Sequence, residues 1–347
     1  MKNFTCQHCS NVVYFENHTC VACKQWLGYE PYSSRMLATS SQQSSPIFHL
    51  EGRNYMYCNN HQHHVCNWLI EANSTGTFCE ACKLNRTIPN LSVQDYVKEW
   101  KNLERAKHRL IYALKRWRLP FYRSTPGSYN LEFNFLSGDE KLKDNQSAMT
   151  GHANGLVTIN LAEADAISRE QVRQELEEPY RTLIGHFRHE VGHYYWDRLI
   201  YENPNNLAAF RNLFGDDRAD YGQALEQHYK KEVSYSWKGN YISKYASSHP
   251  WEDWAETWAH YLHMVDMLDT ALNFGLLSNT ETKVVNAYNH SNFMDIFEAI
   301  VPLSIAVNSL NRSMGQPDVY PFVTPKNVLQ KLEFVHQVLR NYTTVNN

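Results

Sequence analysis

The sequence predicts an α+β protein in which a mainly helical body with a few strands follows two small cysteine-rich modules. Three observations predict it. All eight cysteines of the 347-residue chain fall before residue 83, and none follows. Apolar residues recur at helical spacing through residues 179–200, at Leu183, Phe187, Val191, Tyr194 or Tyr195, and Leu199, and a second such run starts at Pro250. Alternation with a period of two, the mark of a half-buried strand, is confined to short stretches such as Leu131, Phe133 and Phe135.

Composition sets the outer limits. Apolar residues make up 43% of the chain, which is ordinary for a globular protein, and 22 Tyr and 9 Trp raise the aromatic share. Met1 to Cys6 contains no apolar leader run, so the expected location is the cytoplasm. The most apolar late segment, Phe293 to Leu310, is interrupted by Asp295, Glu298 and Pro302, which argues against a membrane span. Charge is uneven. Residues 1–94 carry six Lys/Arg against five Asp/Glu, and residues 95–123 carry nine against three; the total of −3 then leaves −10 for the remainder. Such a basic run reads as a solvated helix face docked on an acidic body rather than a nucleic-acid site.

From the N-terminus, Cys6-x-x-Cys9 and Cys20-x-x-Cys23 have the two-knuckle form of a zinc ribbon over residues 1–32. About thirty residues bury too little to fold alone, so metal binding there is expected to be part of folding. Ser33 to Pro46 is polar, serine-rich and aperiodic, and is expected to be a linker (33–46). Residues 47–90 then hold a second set, Cys58, Cys66, Cys79 and Cys82, expected to bind a second structural zinc; His61, His63 and His64 are near enough to replace one cysteine.

The body is expected to span 91–347. Ser92, with Asp95 three residues on, resembles a capping box leading into a helix through about Arg118. Tyr129 to Leu136 reads as a strand, and Gly151 to Asn160 as a second strand entered through glycines. Ser168, with Gln171, caps a helix leading towards Pro179, which suits a first helical turn.

The helix that follows contains His189-Glu190-Val191-Gly192-His193, an H-E-x-x-H motif. Residues four apart share a helical face, so His189 and His193 can aim imidazole nitrogens at one zinc ion, and Glu190 can act as general base towards water at the metal's open side. Gly185 and Gly192 each cost a helix about 1 kcal/mol relative to Ala, which suggests close packing against them. His152 and His186 are expected to be hydrogen-bonded or exposed rather than ligands. A catalytic zinc needs a third protein ligand. The candidates lie on the helix starting at Pro250, where Glu252, Glu256 and His260 form a stripe beside Trp251, Trp254 and Trp258.

The stretches CNWLIEA, CEACKLNRTIPNLS, TGHANGLVTIN, EEPYRTLIGHFRHEVGHYYWDRL, FGDDRADYGQALEQHY and HPWEDWAETWAHYLH together resemble the bacterial zinc-binding metallopeptidases that carry an N-terminal zinc-ribbon region, over most of residues 58–265. The resemblance implies a zincin-like body. Glu252-Asp253-Trp254-Ala255-Glu256-Thr257-Trp258 is also similar to the E-x-x-A-E-x-F element of gluzincins related to anthrax lethal factor. That similarity implies Glu252 as third ligand, Glu256 as a group holding a ligand histidine, and Tyr245, seven residues earlier, as a hydroxyl facing the metal that steadies an oxyanion.

The expected function is therefore zinc-dependent hydrolysis of peptide bonds in a peptide or protein substrate, with one catalytic and two structural zinc ions. Leu156, Val157, Thr158, Ile159 and Asn160 are expected to form the edge strand that pairs with extended substrate. Two rivals stand beside it: a protein- or nucleic-acid-binding ribbon module on a non-proteolytic scaffold, and amide hydrolysis of a non-peptide substrate. The near-neutral charge of residues 1–94 weighs against phosphate binding by the ribbons.

Overall fold

The computed structural model describes residues 1–40, 46–122, 129–137, 150–175, 181–230, 235–277, 282–320 and 323–345. It contains helices and sheets in two compact units. The first comprises Met1–Tyr112, Leu131–Thr150 and Thr158–Asp165, and the second Ala113–Asn130, Gly151–Val157 and Ala166–Asn347.

In the first unit, β1 (Phe4–Thr5) pairs with β2 (Val12–Val13), and β3 (Trp26–Glu30) pairs antiparallel with β4 (Arg35–Thr39). The strand β4 lies inside the stretch expected to be linker. Met36 and Leu37 are buried there, so the serine-rich reading missed a strand whose apolar content is only two or three residues long. Residues 41–45 of that stretch lie outside the described residues. The strands β5 (Phe48–Leu50), β6 (Arg53–Tyr57) and β7 (Leu69–Glu71) form a three-stranded antiparallel sheet. The two cysteine modules share one core rather than standing apart. Tyr29 bridges to Trp68, Asn67 Nδ2 donates to Phe15 O at 2.7 Å, and the Tyr57 hydroxyl donates to Leu27 O at 2.7 Å.

After β8 (Asn85–Thr87) comes the long helix α1 (Gln94–Arg116), whose last residues continue into the second unit. The Ser92 hydroxyl donates to Asn90 Oδ1 instead of capping α1. Nor is α1 simply a solvated basic face. Lys107 is fully buried, pairs with Glu104 at 2.9 Å and lies 5.7 and 5.5 Å from the Phe133 and Phe135 rings of β9 (Glu132–Leu136), which runs parallel to β8. Burying that charge is tolerable because it is paired and hydrogen-bonded.

Gly151 to Asn160 forms two strands, β10 (Gly151–Ala153) and β11 (Leu156–Asn160), in a sheet of order β10-β11-β9-β8. Asn154 and Gly155 between them have φ of 51° and 79°, the type I′ geometry that Asn-Gly favours in two-residue hairpins. A Cβ on Gly155 would come within 2.2 Å of Asn130 O, so glycine is required there on two counts. The expectation that Leu156–Asn160 is an edge strand is therefore overturned. It has a neighbour on each side, and the edges are β10 and β8.

The rest of the second unit is helical: α2 (Ala166–Glu175), α3 (Leu183–Trp196), α4 (Pro204–Phe214), α5 (Tyr221–Lys230), α6 (Pro250–Asn273), α7 (Phe293–Ser313) and α8 (Lys326–Val345). The helix α3 begins later than expected, capped by the Thr182 hydroxyl on Gly185 N at 3.1 Å; Pro179 lies outside the described residues. It ends in a π-turn over Asp197–Tyr201. The helix α7 is long and apolar enough to cross a bilayer by length and composition; 28% of that apolar window is buried within the protein, and Phe293, Ile296, Ala299, Ile300 and Leu303 are the buried residues of the helix.

The α3–α6 contact organises the second unit. A Cβ on Gly192 would meet Ala255 Cα and the Trp258 ring at 3.1 Å, so the two helices touch backbone to backbone at a Gly–Ala pair. Trp254 Nε1 spans the same crossing and donates to Gly192 O at 2.9 Å. The helix cost of Gly192 is thus offset by a close approach that a larger residue could share only by displacing the Ala255 backbone or the Trp258 ring.

Candidate metal centre

The close crossing brings the buried N-terminal turn of α6 against the middle of α3. At the start of α6, His249 Nδ1 accepts from Trp251 N at 3.1 Å and Pro250 occupies the first helical position, where its missing N–H costs nothing. This fixes where Glu252 points. One ligand atom each from His189, His193 and Glu252 lies within 4.8 Å of the others. Glu252 Oε2 is 3.0 Å from His189 Nε2 and 3.4 Å from His193 Nε2, yet it makes no hydrogen bond among the described residues. Glu252 is 1% exposed.

Three lone-pair-bearing atoms aimed at one point, without a shared proton, suit a cation better than one another. With metal–nitrogen and metal–oxygen bonds of about 2.0–2.2 Å, ligand atoms around a tetrahedral zinc sit about 3.3–3.5 Å apart, close to the spacing found. Burial opposes charge on Glu252, but the two imidazoles outweigh it and hold its carboxyl well below the usual carboxylate range.

The surrounding groups fix each ligand's orientation. His189 Nδ1–H donates to Glu256 Oε1 at 2.7 Å, which leaves the Nε2 lone pair for the metal, and Glu256 Oε2 accepts from the Ser243 hydroxyl at 2.6 Å. Burial raises the Glu256 carboxyl; His189 more than compensates, and it lies at about 2. The other oxygen of Glu252, Oε1, accepts from the Tyr221 hydroxyl at 2.7 Å. The Tyr245 ring centroid is 5.9 Å from that of His189. Burial and the Glu252 charge push the Tyr245 hydroxyl far up, so it remains a donor at any ordinary pH. The His193 ring lies against Trp251, with centroids 3.6 Å apart.

Glu190 is buried beside this group. His186 Nε2–H donates to its Oε1 at 3.2 Å. Burial raises the carboxyl, but that bond and the nearby imidazoles hold it at about 2, ionised at neutral pH. His152, on the edge strand β10, accepts from Gly155 N at 3.1 Å and faces His193 with ring centroids 6.1 Å apart. His260 shares the helix face of Glu256 but turns to the Tyr320 hydroxyl at 3.0 Å. Tyr221 and Ser243 were not singled out in the sequence: each meets its carboxylate across a loop, and no spacing within one element reports such a contact.

The cysteine sites are closed. In the first, Cys6 Sγ lies 3.7 Å from Cys23 Sγ and Cys9 Sγ 3.6 Å from Cys20 Sγ. The knuckles repeat each other: Cys6 N donates to Asn11 O and Cys20 N to Gln25 O, at 2.8 and 2.9 Å, and Ser10 and Lys24 after each pair have φ of 60° and 61°. In the second site Cys58, Cys66, Cys79 and Cys82 are all buried, with Cys66 Sγ 3.8 Å from Cys79 Sγ. A tetrahedral zinc with bonds of about 2.3 Å to sulfur separates its thiolates by about 3.8 Å. Burial pushes the Cys66 and Cys79 thiols well up, so a cation is needed to keep four such sulfurs charged together. His61 donates from Nδ1 to Cys66 O at 2.9 Å and stacks on Tyr57, away from a ligand role. The histidine that does reach the site is His108 of α1, with Nε2 3.4 Å from Cys66 Sγ and Nδ1 2.6 Å from Glu104 O.

Residues 96–338 match a family model described as "Putative zinc-binding metallo-peptidase", and residues 3–93 match a zinc-ribbon domain. Relatives named Uncharacterized protein Rv2568c and Uncharacterized protein MT2644, of two Mycobacterium tuberculosis strains, and Uncharacterized protein Mb2598c of Mycobacterium bovis, are each 40% identical over 340 residues. The match covers 98% of this chain and 95% of each relative. No solved structure matches.

Proposed function

This chain belongs to the zinc-binding metallopeptidase family, and on that premise we propose that it hydrolyses peptide bonds with one zinc held by His189, His193 and Glu252. The observation that carries the reading is the convergence of three buried ligand atoms, one of them a carboxylate oxygen without a hydrogen bond, beside an ionised Glu190. When bound, zinc polarises a carbonyl and lowers the pKa of water to about 7.

Glu190 accepts the proton of the attacking water and passes it to the leaving amine, the His186 bond steadying one carboxylate oxygen while the other acts. The Tyr245 hydroxyl, held protonated by burial and the Glu252 charge, donates to the developing oxyanion. Extended substrate pairs with β10, the edge strand that carries His152 towards His193. The two four-thiolate sites each hold a structural zinc, giving three ions per chain. Eight free cysteines suit a reducing compartment, and we place the protein in the cytoplasm. The ribbons then serve as a protein-docking region rather than a nucleic-acid head.

A peptide-library cleavage assay followed by mass spectrometry, run on the zinc-loaded chain and its Glu190→Gln variant, tests this. We expect the variant to keep three zinc ions and lose about 10²–10⁴-fold in rate. Full activity in the variant, or no peptide cleaved by the parent chain, overturns the reading.

A further inference from the structure

The basic run at residues 95–123 is only partly used by the contacts described so far, and its last turn lines a cavity. The cavity is about 350 Å³ and is bounded by Arg116, Trp117 and Arg118 from the end of α1, Asn289, and Arg340 and Thr343 of α8, all in the second unit. Three of the six lining residues are arginines, and none is acidic. This is a concentration of positive charge in a unit whose long C-terminal part, residues 166–347, carries 16 Lys/Arg against 22 Asp/Glu, a net −6.

The three guanidiniums are not equivalent. Arg116 is anchored: it pairs with the buried Asp269 at 3.3 Å and its guanidinium carbon stands 4.4 Å from the Tyr288 ring centroid. Among the described residues, Arg116 alone of the three has a carboxylate partner. Arg118 stands at the αL residue that ends α1, with φ of 54°. Glycine or asparagine is the cheap choice at such a position, so an arginine there is retained against a backbone cost. Its exposed side chain and that of the half-buried Arg340 enter the cavity from different helices.

We propose that this cavity binds a small phosphorylated ligand, a site separate from the metal centre and independent of the peptidase reading. Arginine's planar fork matches phosphate oxygens two at a time. A carboxylate presents two oxygens in one plane and satisfies one such fork, whereas a phosphate monoester has three terminal oxygens pointing in three directions and can engage all three arginines. The Asn289 amide adds a neutral donor at the wall, whereas the Thr343 hydroxyl is spent on Arg340 O at 3.0 Å. The volume exceeds what a bare phosphate fills, which leaves space for the organic part of an ester such as a sugar phosphate.

The test is calorimetric titration of the zinc-loaded full chain at low ionic strength with glucose 6-phosphate, then inorganic phosphate, then succinate. We expect one saturable site for both phosphates, weakened about tenfold or more in each of Arg118→Gln and Arg340→Gln, whose unliganded thermal midpoints should match the parent's. Succinate binding as tightly as phosphate overturns the ligand class. Absence of saturable binding to the parent chain, or affinity unchanged in both arginine variants, overturns the site. Phosphate affinity lost in Glu252→Ala but kept in the arginine variants assigns the anion to the metal centre and likewise overturns it.

Discussion

The two kinds of metal site in this chain differ in how their ligands are brought together. Each cysteine site draws its sulfurs from short turns: Cys6 with Cys9, Cys20 with Cys23, Cys79 with Cys82. Those turns are tied to the shared core of the first unit at Asn67 and Trp68, and a cation is what lets four neighbouring sulfurs carry charge there together. The site in the second unit draws two ligands from one helix and the third from another, and the helices are already locked at Gly192 and Ala255, with each ligand oriented by Glu256, Tyr221 or Trp251. On the proposed ligand sets, metal binding would be part of folding in the first case; in the second the protein is organised before metal arrives, and three ligands instead of four would leave a coordination position for chemistry.

The largest expected effect comes from breaking a closed site. Structural zinc in small modules contributes on the order of 10 kcal/mol, so Cys79→Ser should lower the zinc count by one and unfold the β5–β7 region while the helical unit persists. Amide hydrogen exchange read by mass spectrometry checks this, and protection kept throughout residues 47–90 contradicts it. The open site should behave oppositely. Glu252→Ala should strip its zinc yet leave the helices folded, whereas Glu256→Ala should weaken zinc affinity by about 10–100-fold, measured by competition with a chelating dye. If Glu256→Ala empties the site and Glu252→Ala does not, the ligand assignment reverses.

A third effect is set by acid. Burial lowers His260 from 6.5 to about 4, and the nearby Glu256 only partly offsets it. A base depressed in the folded state binds fewer protons than when unfolded, so its stabilising share is complete above pH 6.5 and is lost as pH falls towards 4. The loss is about 3 kcal/mol at most. His260→Gln should flatten that part of the stability curve of the second unit in denaturant titrations between pH 7 and 4.5; an unchanged slope assigns the acid sensitivity elsewhere. The smallest expected change is Gly192→Ala. The new methyl meets backbone at Ala255 and the Trp258 ring, neither of which can swing away, and overpacking of this kind costs about 1–3 kcal/mol against about 1 kcal/mol gained in helix propensity. A net loss near 1 kcal/mol, with weaker zinc binding, is the expected reading by thermal melts and dye competition. A net gain shows that the crossing has slack.

Much of the open site could be read from sequence because its ligands obey helical spacing: His189 with His193, and Glu252 one turn before Glu256. The packing at Gly192 was legible for the same reason, as a glycine where a helix should not want one. What escaped notice depends on contacts between elements. Tyr221 on Glu252, Ser243 on Glu256 and His108 beside Cys66 are joined only by the folded chain. The β10–β11 hairpin escaped for another reason. Its Asn154-Gly155 signal was present, but Gly151 and Gly155 also fit an entry into a single strand ending at Asn160, and the choice between them moved the sheet edge from Leu156–Asn160 to Gly151–Ala153.

The contact at Gly192 has a mechanical meaning as well. His189 and His193 ride on one rigid rod and Glu252 on another, so any sliding or spreading of the two rods changes ligand-to-ligand distances directly, with no flexible loop to absorb it. An ion seated between them would act as a strain gauge on the helix pair: a spectroscopically active metal held there would turn sub-ångström changes in the packing of the two helices into a change of colour.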